Sequence, residues 1–143
     1  MFRYTSFYFE DKPIWRIPAA VLAGYVFIGV LVVITDQIFN MVIPGFKLMT
    51  MPPIYYFAIS LFTDFVYSIA GGYLCAWIAR ERAWRATITL MIVGDLIGLA
   101  AQIKLWAAVP HWYAVALLVL FPIGVWFGWK LFAQRTRQFS SAA

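Results

Sequence analysis

Four long apolar stretches dominate the chain, at residues 17–39, 54–78, 86–106 and 112–132. Each is long enough to cross a hydrocarbon core of roughly 30 Å as an α-helix that rises about 1.5 Å per residue. A segment inside lipid must satisfy its own backbone hydrogen bonds, so we expect all four stretches to be helices. The pattern predicts an all-α fold, an integral membrane four-helix bundle.

The segments between the apolar stretches suggest how the chain is organised. We expect residues 1–16 to be an aromatic-rich cytoplasmic segment, residues 17–132 the transmembrane domain and residues 133–143 a cytoplasmic tail. The links at residues 80–85 and 107–111 are short, which favours antiparallel neighbours for helices two and three and for helices three and four. The Met-rich loop at residues 40–53 either caps the bundle or offers a surface to a partner.

The composition supports lipid as the solvent of this chain. Hydrophobic residues make up 64% and charged residues 12%, whereas soluble domains have roughly 25% charged residues. The net charge of +5 comes from short clusters between the apolar stretches, so we do not expect a nucleic-acid partner. The lipid bilayer, and either a membrane protein partner or a second copy of the chain, are the expected partners.

The distribution of Lys and Arg predicts the orientation. Nine of these residues fall on one side of a four-span topology and two on the other, and cytoplasmic segments are the ones enriched in Lys and Arg. Both termini are therefore predicted to be cytoplasmic. The nine are Arg3, Lys12, Arg16, Arg80, Arg82, Arg85, Lys130, Arg135 and Arg137, and the two are Lys47 and Lys104.

The sequence contains few residues or motifs that could support an enzymatic reaction. Cys75 is the only cysteine, which excludes paired-cysteine redox chemistry, and His111 is the only histidine, which weakens any metal or haem site. No phosphate-binding loop, nucleophile elbow or zinc-protease motif is present. We therefore expect no catalytic residues, no cofactor and no metal site.

Two carboxylates are predicted near the middle of the membrane. Asp64 lies ten residues from the outer start of helix two and Asp95 nine residues from the inner start of helix three, depths of about 15 and 13 Å. An ionised group at that depth is costly, and two acids in a shared cavity cannot both ionise easily, so a shared proton is expected. The alternative is a protonated aspartate that holds the bundle together by hydrogen bonds.

The spacing of other polar residues supports an inward orientation for both acids. Ser60 and Ser68 flank Asp64 at four-residue spacing on one helix face, and Gln102 follows Asp95 at a spacing of seven. These five residues form the candidate intramembrane polar site. Nearer the outer boundary, Asp36 and Lys104 are predicted to form an ion pair that clasps helices one and three.

Small residues at four-residue spacing recur in the predicted spans. This spacing lets helix backbones approach closely, which favours association in lipid. Packing inside the bundle is the simpler interpretation, and the alternative is that the motif in helix four binds another chain. The glycines concerned are Gly72, Gly94, Gly98, Gly124 and Gly128.

Residues 70–80, which read AGGYLCAWIAR, resemble the end of the second helix in small uncharacterised bacterial inner-membrane proteins with four transmembrane helices. The resemblance covers about a dozen residues and the helix layout. It implies a multi-pass protein of the bacterial inner membrane and supplies no activity.

Three functional hypotheses follow, in order. The first is a non-catalytic membrane subunit or scaffold that associates through its glycine faces and its aromatic N-terminal segment. The second is a proton- or cation-linked transporter or channel that uses Asp64 and Asp95. A membrane enzyme ranks last because no catalytic constellation is visible.

Overall fold

A computed structural model describes residues 15–43 and 53–141 of the chain, with side chains up to residue 138. Helix α1 spans Arg16–Val42, α2 spans Ile54–Ala79, α3 spans Ala83–Leu105 and α4 spans His111–Ser141, with a short 3-10 helix at Arg80–Arg82. The predicted all-α fold is confirmed for this part of the chain, which contains no strand. Most of the aromatic N-terminal segment and residues 44–52 of the Met-rich loop lie outside the described residues.

Three helical stretches of the described chain are long and apolar enough to cross a membrane, namely Arg16–Val42, Ile54–Leu105 and His111–Gln138. They indicate a multi-pass membrane protein. Large apolar side chains such as Leu22, Val33 and Phe62 are more than half exposed, as expected where lipid is the solvent. Exposed tryptophans lie near helix ends, where aromatic rings anchor a protein at the membrane interface: Trp15, Trp84, Trp106 and Trp112.

The helices extend further than their apolar stretches. The predicted end of the fourth stretch was residue 132, whereas α4 continues to Ser141. Its final turns contain Gln, Arg and Ala, which have high helix propensity but low hydropathy. Hydropathy therefore located the apolar part of each helix and underestimated the length of α4.

The 52-residue stretch Ile54–Leu105 is not one straight rod. Arg80 has a φ of 50°, the only positive φ among the described non-glycine residues, and such a conformation costs about 1–3 kcal/mol. The chain reverses at this turn, and α2 and α3 contact each other on either side of it. Ala79 and Ala86, from the two sides of the turn, belong to one buried cluster.

Helix α2 is the centre of the packing, because its contacts with α4 and α1 are the most extensive in the bundle and it also contacts α3. Its most extensive contact is with α4, a pairing that the short links between helices did not predict. Glycines make this contact close: a Cβ added to Gly124 would lie 2.7 Å from the Ser68 Cβ. Added Cβ atoms on Gly72 and Gly128 would overlap backbone atoms of the opposite helix.

The remaining glycines of the prediction differ from one another. Gly94 lies against the Phe121 ring, closely enough that a Cβ would overlap it. Gly98 has only an ordinary distance of 3.6 Å between its added Cβ and the Leu118 Cδ2 atom, so no close approach depends on it. All of these contacts lie within the chain, so the glycine face of α4 packs on α2.

The tightly packed core lies toward the Arg80–Arg82 end of the bundle. Its members are mostly small, and they leave little space between the helices. The two cavities described below lie toward the other end of the bundle. The cluster comprises Ala20, Val21, Cys75, Ala79, Ala86, Leu90 and Val125.

Candidate functional site

Asp64 and Asp95 line the same cavity, which has a volume of about 340 Å³ and is bordered by all four helices. Asp64 lies ten residues after the first residue of α2, and Asp95 lies ten residues before the last residue of α3. At about 1.5 Å per residue, both acids are about 15 Å from the same end of the bundle. The two carboxylates are therefore at a common depth on helices that contact each other.

Serines surround Asp64 on its own helix. The Ser60 hydroxyl donates to Oδ2 of Asp64 at 3.4 Å, a long hydrogen bond. The Ser68 hydroxyl, which is only 2% exposed, donates instead to the backbone carbonyl of Asp64 at 2.7 Å. Ser60 thus contacts the carboxylate, and Ser68 satisfies the helix backbone at the tightly packed α2–α4 contact.

On α3, two hydrogen-bond acceptors are buried without a donor. Oδ1 of Asp95 and Oε1 of Gln102 have almost no accessible surface and no hydrogen-bond partner among the described residues. Both residues line the cavity that contains Asp64. An unpaired buried acceptor costs about 1–3 kcal/mol, and native proteins contain few of them. These two atoms therefore mark α3 as the side of the cavity that is complementary to a donor.

A second cavity of about 280 Å³ continues from the first toward the helix ends opposite the Arg80–Arg82 turn. Asp64 and Gln102 line both cavities, so they stand at the junction between them. The second cavity reaches Asn40 near the end of α1 and Ala108 in the turn that follows α3. The second cavity therefore leads from the helix ends to Asp64, which also lines the first cavity.

Two tyrosines of this path were not predicted. The Tyr113 hydroxyl lies 2.9 Å from the Ser60 hydroxyl, and the Tyr56 hydroxyl donates to Oδ1 of Asp36 at 3.3 Å. Tyr113 is 8% exposed, whereas its neighbour Trp112 is 48% exposed. The signal that could have located Tyr113 is its four-residue spacing to Leu117, which lines both cavities.

The predicted ion pair between Asp36 and Lys104 is not formed in the described part of the chain. The Asp36 carboxylate accepts a hydrogen bond from Tyr56, while the Lys104 side chain is exposed. Tyr56 lies in the first turn of α2, so this hydrogen bond joins α1 to α2. The predicted ion pair would have joined α1 to α3. Counting along the helices could not give the partner of Asp36.

The charged side chains of the described residues that border the two cavities are all acidic. Three carboxylates border the two cavities, and no Lys, Arg or His side chain of the described residues does so. The described residues also contain no group of three or more His, Cys, Asp or Glu side chains that could hold a metal ion. The site is suited to attract protons or cations and to repel anions.

Comparison of this chain with protein-family models, with curated proteins and with solved structures finds no match.

Proposed function

We propose that this chain is a four-span integral membrane protein of the bacterial inner membrane that passes protons or small cations by way of Asp64 and Asp95. The observation that carries the proposal is that both carboxylates, at one depth and on separate helices, line one cavity. Acids at membrane depth are retained chiefly where they serve an ion or substrate path. The proposal includes no catalytic activity.

The lengths of the helices support four crossings. A straight helix of 52 residues would be about 78 Å long, far more than a bilayer of roughly 40–45 Å including its headgroups. Divided at the positive φ of Arg80, the stretch yields α2 with 26 residues and α3 with 23, each longer than the hydrocarbon core. The contact between α2 and α3 supports their lying side by side in the membrane.

The placement of the basic residues supports cytoplasmic termini. Arg16 begins α1, the turn between α2 and α3 contains Arg80 and Arg82, and Arg135 lies in the last part of α4. The buried cluster that joins residues 20, 79 and 86 brings these ends to one side. Lys104 is the one Lys or Arg among the described residues at the opposite end. By the positive-inside rule the cavities then face the outer side.

The alternative is the non-catalytic membrane subunit. Its expected contact surface included the glycine faces, but Gly72, Gly124 and Gly128 are engaged in the α2–α4 contact. The aromatic N-terminal segment lies outside the described residues. Transport gives a role to the two acids and to the unpaired hydrogen-bond acceptors on α3. The subunit hypothesis gives them none.

Ion flux into proteoliposomes tests the proposal. The full chain is reconstituted with a trapped pH-sensitive dye, and proton influx and sodium influx are recorded under an imposed membrane potential. Wild-type protein should exceed empty liposomes, and Asp64→Asn and Asp95→Asn should each reduce the flux at least about ten-fold. Glu81→Gln, an equal charge change outside both cavities, should leave the flux unchanged.

Helical content and elution as a single species establish that each variant is folded. Folded Asp64→Asn and Asp95→Asn variants with wild-type flux would contradict the proposal. So would wild-type protein with no flux of either ion above empty liposomes, which would favour the subunit alternative.

A further inference from the structure

We infer that the cavity shared by Asp64 and Asp95 takes a protonated amine with an apolar body, an amphipathic organic monocation. The inference rests on the proposed function in taking this cavity as the working site, and it adds the chemical class of the ligand. The observations that carry it are the apolar wall, the unpaired acceptors and, among the described residues, the absence of basic side chains around the cavity.

The wall of the cavity is mostly apolar. Aliphatic and aromatic side chains from α1, α2 and α4 supply it, and most of the polar groups come from α2 and α3. An inorganic divalent cation such as Ca²⁺ needs six or more oxygen ligands, which such a wall does not provide. The volume of about 340 Å³ lies within the range of roughly 300–1,000 Å³ that small-molecule sites occupy. The wall includes Ile28, Val32, Phe65, Leu117, Leu118 and Phe121.

The polar side of the cavity consists of acceptors. Oδ1 of Asp95 and Oε1 of Gln102 are buried and have no donor among the described residues. An ammonium group carries up to three N–H donors and one positive charge. It could donate to the Asp95 carboxylate and neutralise it, whereas a quaternary ammonium ion has no N–H group to donate.

The aromatic rings and the negative charge of the cavity also favour a cation. Tyr25, Phe65 and Phe121 line the same cavity, and an ammonium group near an aromatic face gains a favourable cation–π interaction. No basic side chain of the described residues borders either cavity, so nothing there repels a cation or attracts an anion. A ligand with an apolar body and a single ammonium group can pack on the apolar wall and donate to the buried acceptors.

The second cavity indicates the side of entry. It leads from Asn40 and Ala108 at the outer helix ends to Asp64 and Gln102, which also line the first cavity. The opposite direction is closed by the small-residue core around Cys75. The structure therefore assigns the outer side as the entrance of the amine in this conformation.

Binding of two isosteric probes to the full chain in lipid nanodiscs tests the inference. Phenylbutylamine is protonated at neutral pH, and phenylbutanol has the same shape without the charge. Titration calorimetry against empty nanodiscs subtracts partition into lipid. We expect the amine to bind at least about ten-fold more tightly than the alcohol, a difference of about 1.4 kcal/mol.

Two variants and a control connect binding to the site. Asp95→Asn and Gln102→Leu should each weaken the binding of the amine about ten-fold or more, with little effect on the alcohol, and Glu81→Gln should leave both unchanged. Equal binding of amine and alcohol by the wild-type protein would overturn the inference, and this test needs no variant to fold. Wild-type affinity in folded Asp95→Asn would overturn it as well.

The outcomes separate this inference from the proposed function. Acid-dependent ion flux without preference for the amine rejects the ligand class and leaves the transport of protons or inorganic cations standing. Acid-dependent binding of the amine without any flux supports the ligand class and rejects transport.

Discussion

The hydroxyl oxygens of Ser60 and Tyr113 lie 2.9 Å apart, buried where α2 meets the first turns of α4. Ser60 also donates its only hydroxyl proton toward Oδ2 of Asp64. Where Asp64 is ionised, Ser60 donates to it, and the Tyr113 hydroxyl is then the donor to Ser60. A chain of hydrogen bonds therefore connects α4 to the Asp64 carboxylate of α2.

This chain of hydrogen bonds leads to the first prediction. Tyr113→Phe removes the donor to Ser60 and should lower the free energy of unfolding by about 0.5–1.5 kcal/mol. Unfolding in mixed micelles, followed by circular dichroism, measures the loss. Tyr55→Phe is the matched control, because Tyr55 is 54% exposed on the same end of the bundle. Equal stabilities of the two variants would show that the buried hydroxyl contact contributes nothing.

The glycines of α1 and α2 allow a matched comparison. A Cβ on Gly72 would overlap the backbone of Val125, which cannot rotate away, whereas a Cβ on Gly29 meets no atom within 4 Å. Gly72→Ala should therefore destabilise the bundle by about 1–3 kcal/mol. Gly29→Ala should be neutral or stabilise it by up to about 1 kcal/mol, since alanine favours helix. The same unfolding measurement compares them, and a loss of stability in Gly29→Ala equal to that in Gly72→Ala would refute the close α2–α4 contact.

The proposed four-span orientation predicts which positions are accessible to a membrane-impermeant maleimide. Cys75 is 0% exposed, so the wild-type chain should remain unlabelled until it is denatured. Ala107→Cys, at an exposed position in the turn after α3, should be labelled in intact cells. Gln134→Cys, at an exposed position near the end of α4, should be labelled only in inverted membrane vesicles. Labelling of both positions from the same side would contradict the proposed number of crossings.

Part of this site could be predicted from the sequence. The depth of Asp64 and Asp95 followed from counting residues along apolar stretches, because the rise of a helix is constant. The packing of α1 and α4 completes the lining of one cavity that both acids share, and no periodicity within α2 or α3 contains that information. Tyr113 could not be placed in the site for the same reason: an aromatic residue at a helix end has the same local pattern whether it faces lipid or the bundle.

The sequence by itself determined that the described chain is helical, that its helices are long enough for a membrane and that its acids lie about midway along them. These properties depend on local hydrogen bonding and on hydropathy, which each segment contains within itself. Tertiary structure alone decided that the glycines of α4 meet α2 and that Asp36 pairs with Tyr56 and not with Lys104. Helix association in lipid depends on the fit of small and large side chains between segments distant in the chain, and that fit exists only once the helices are packed.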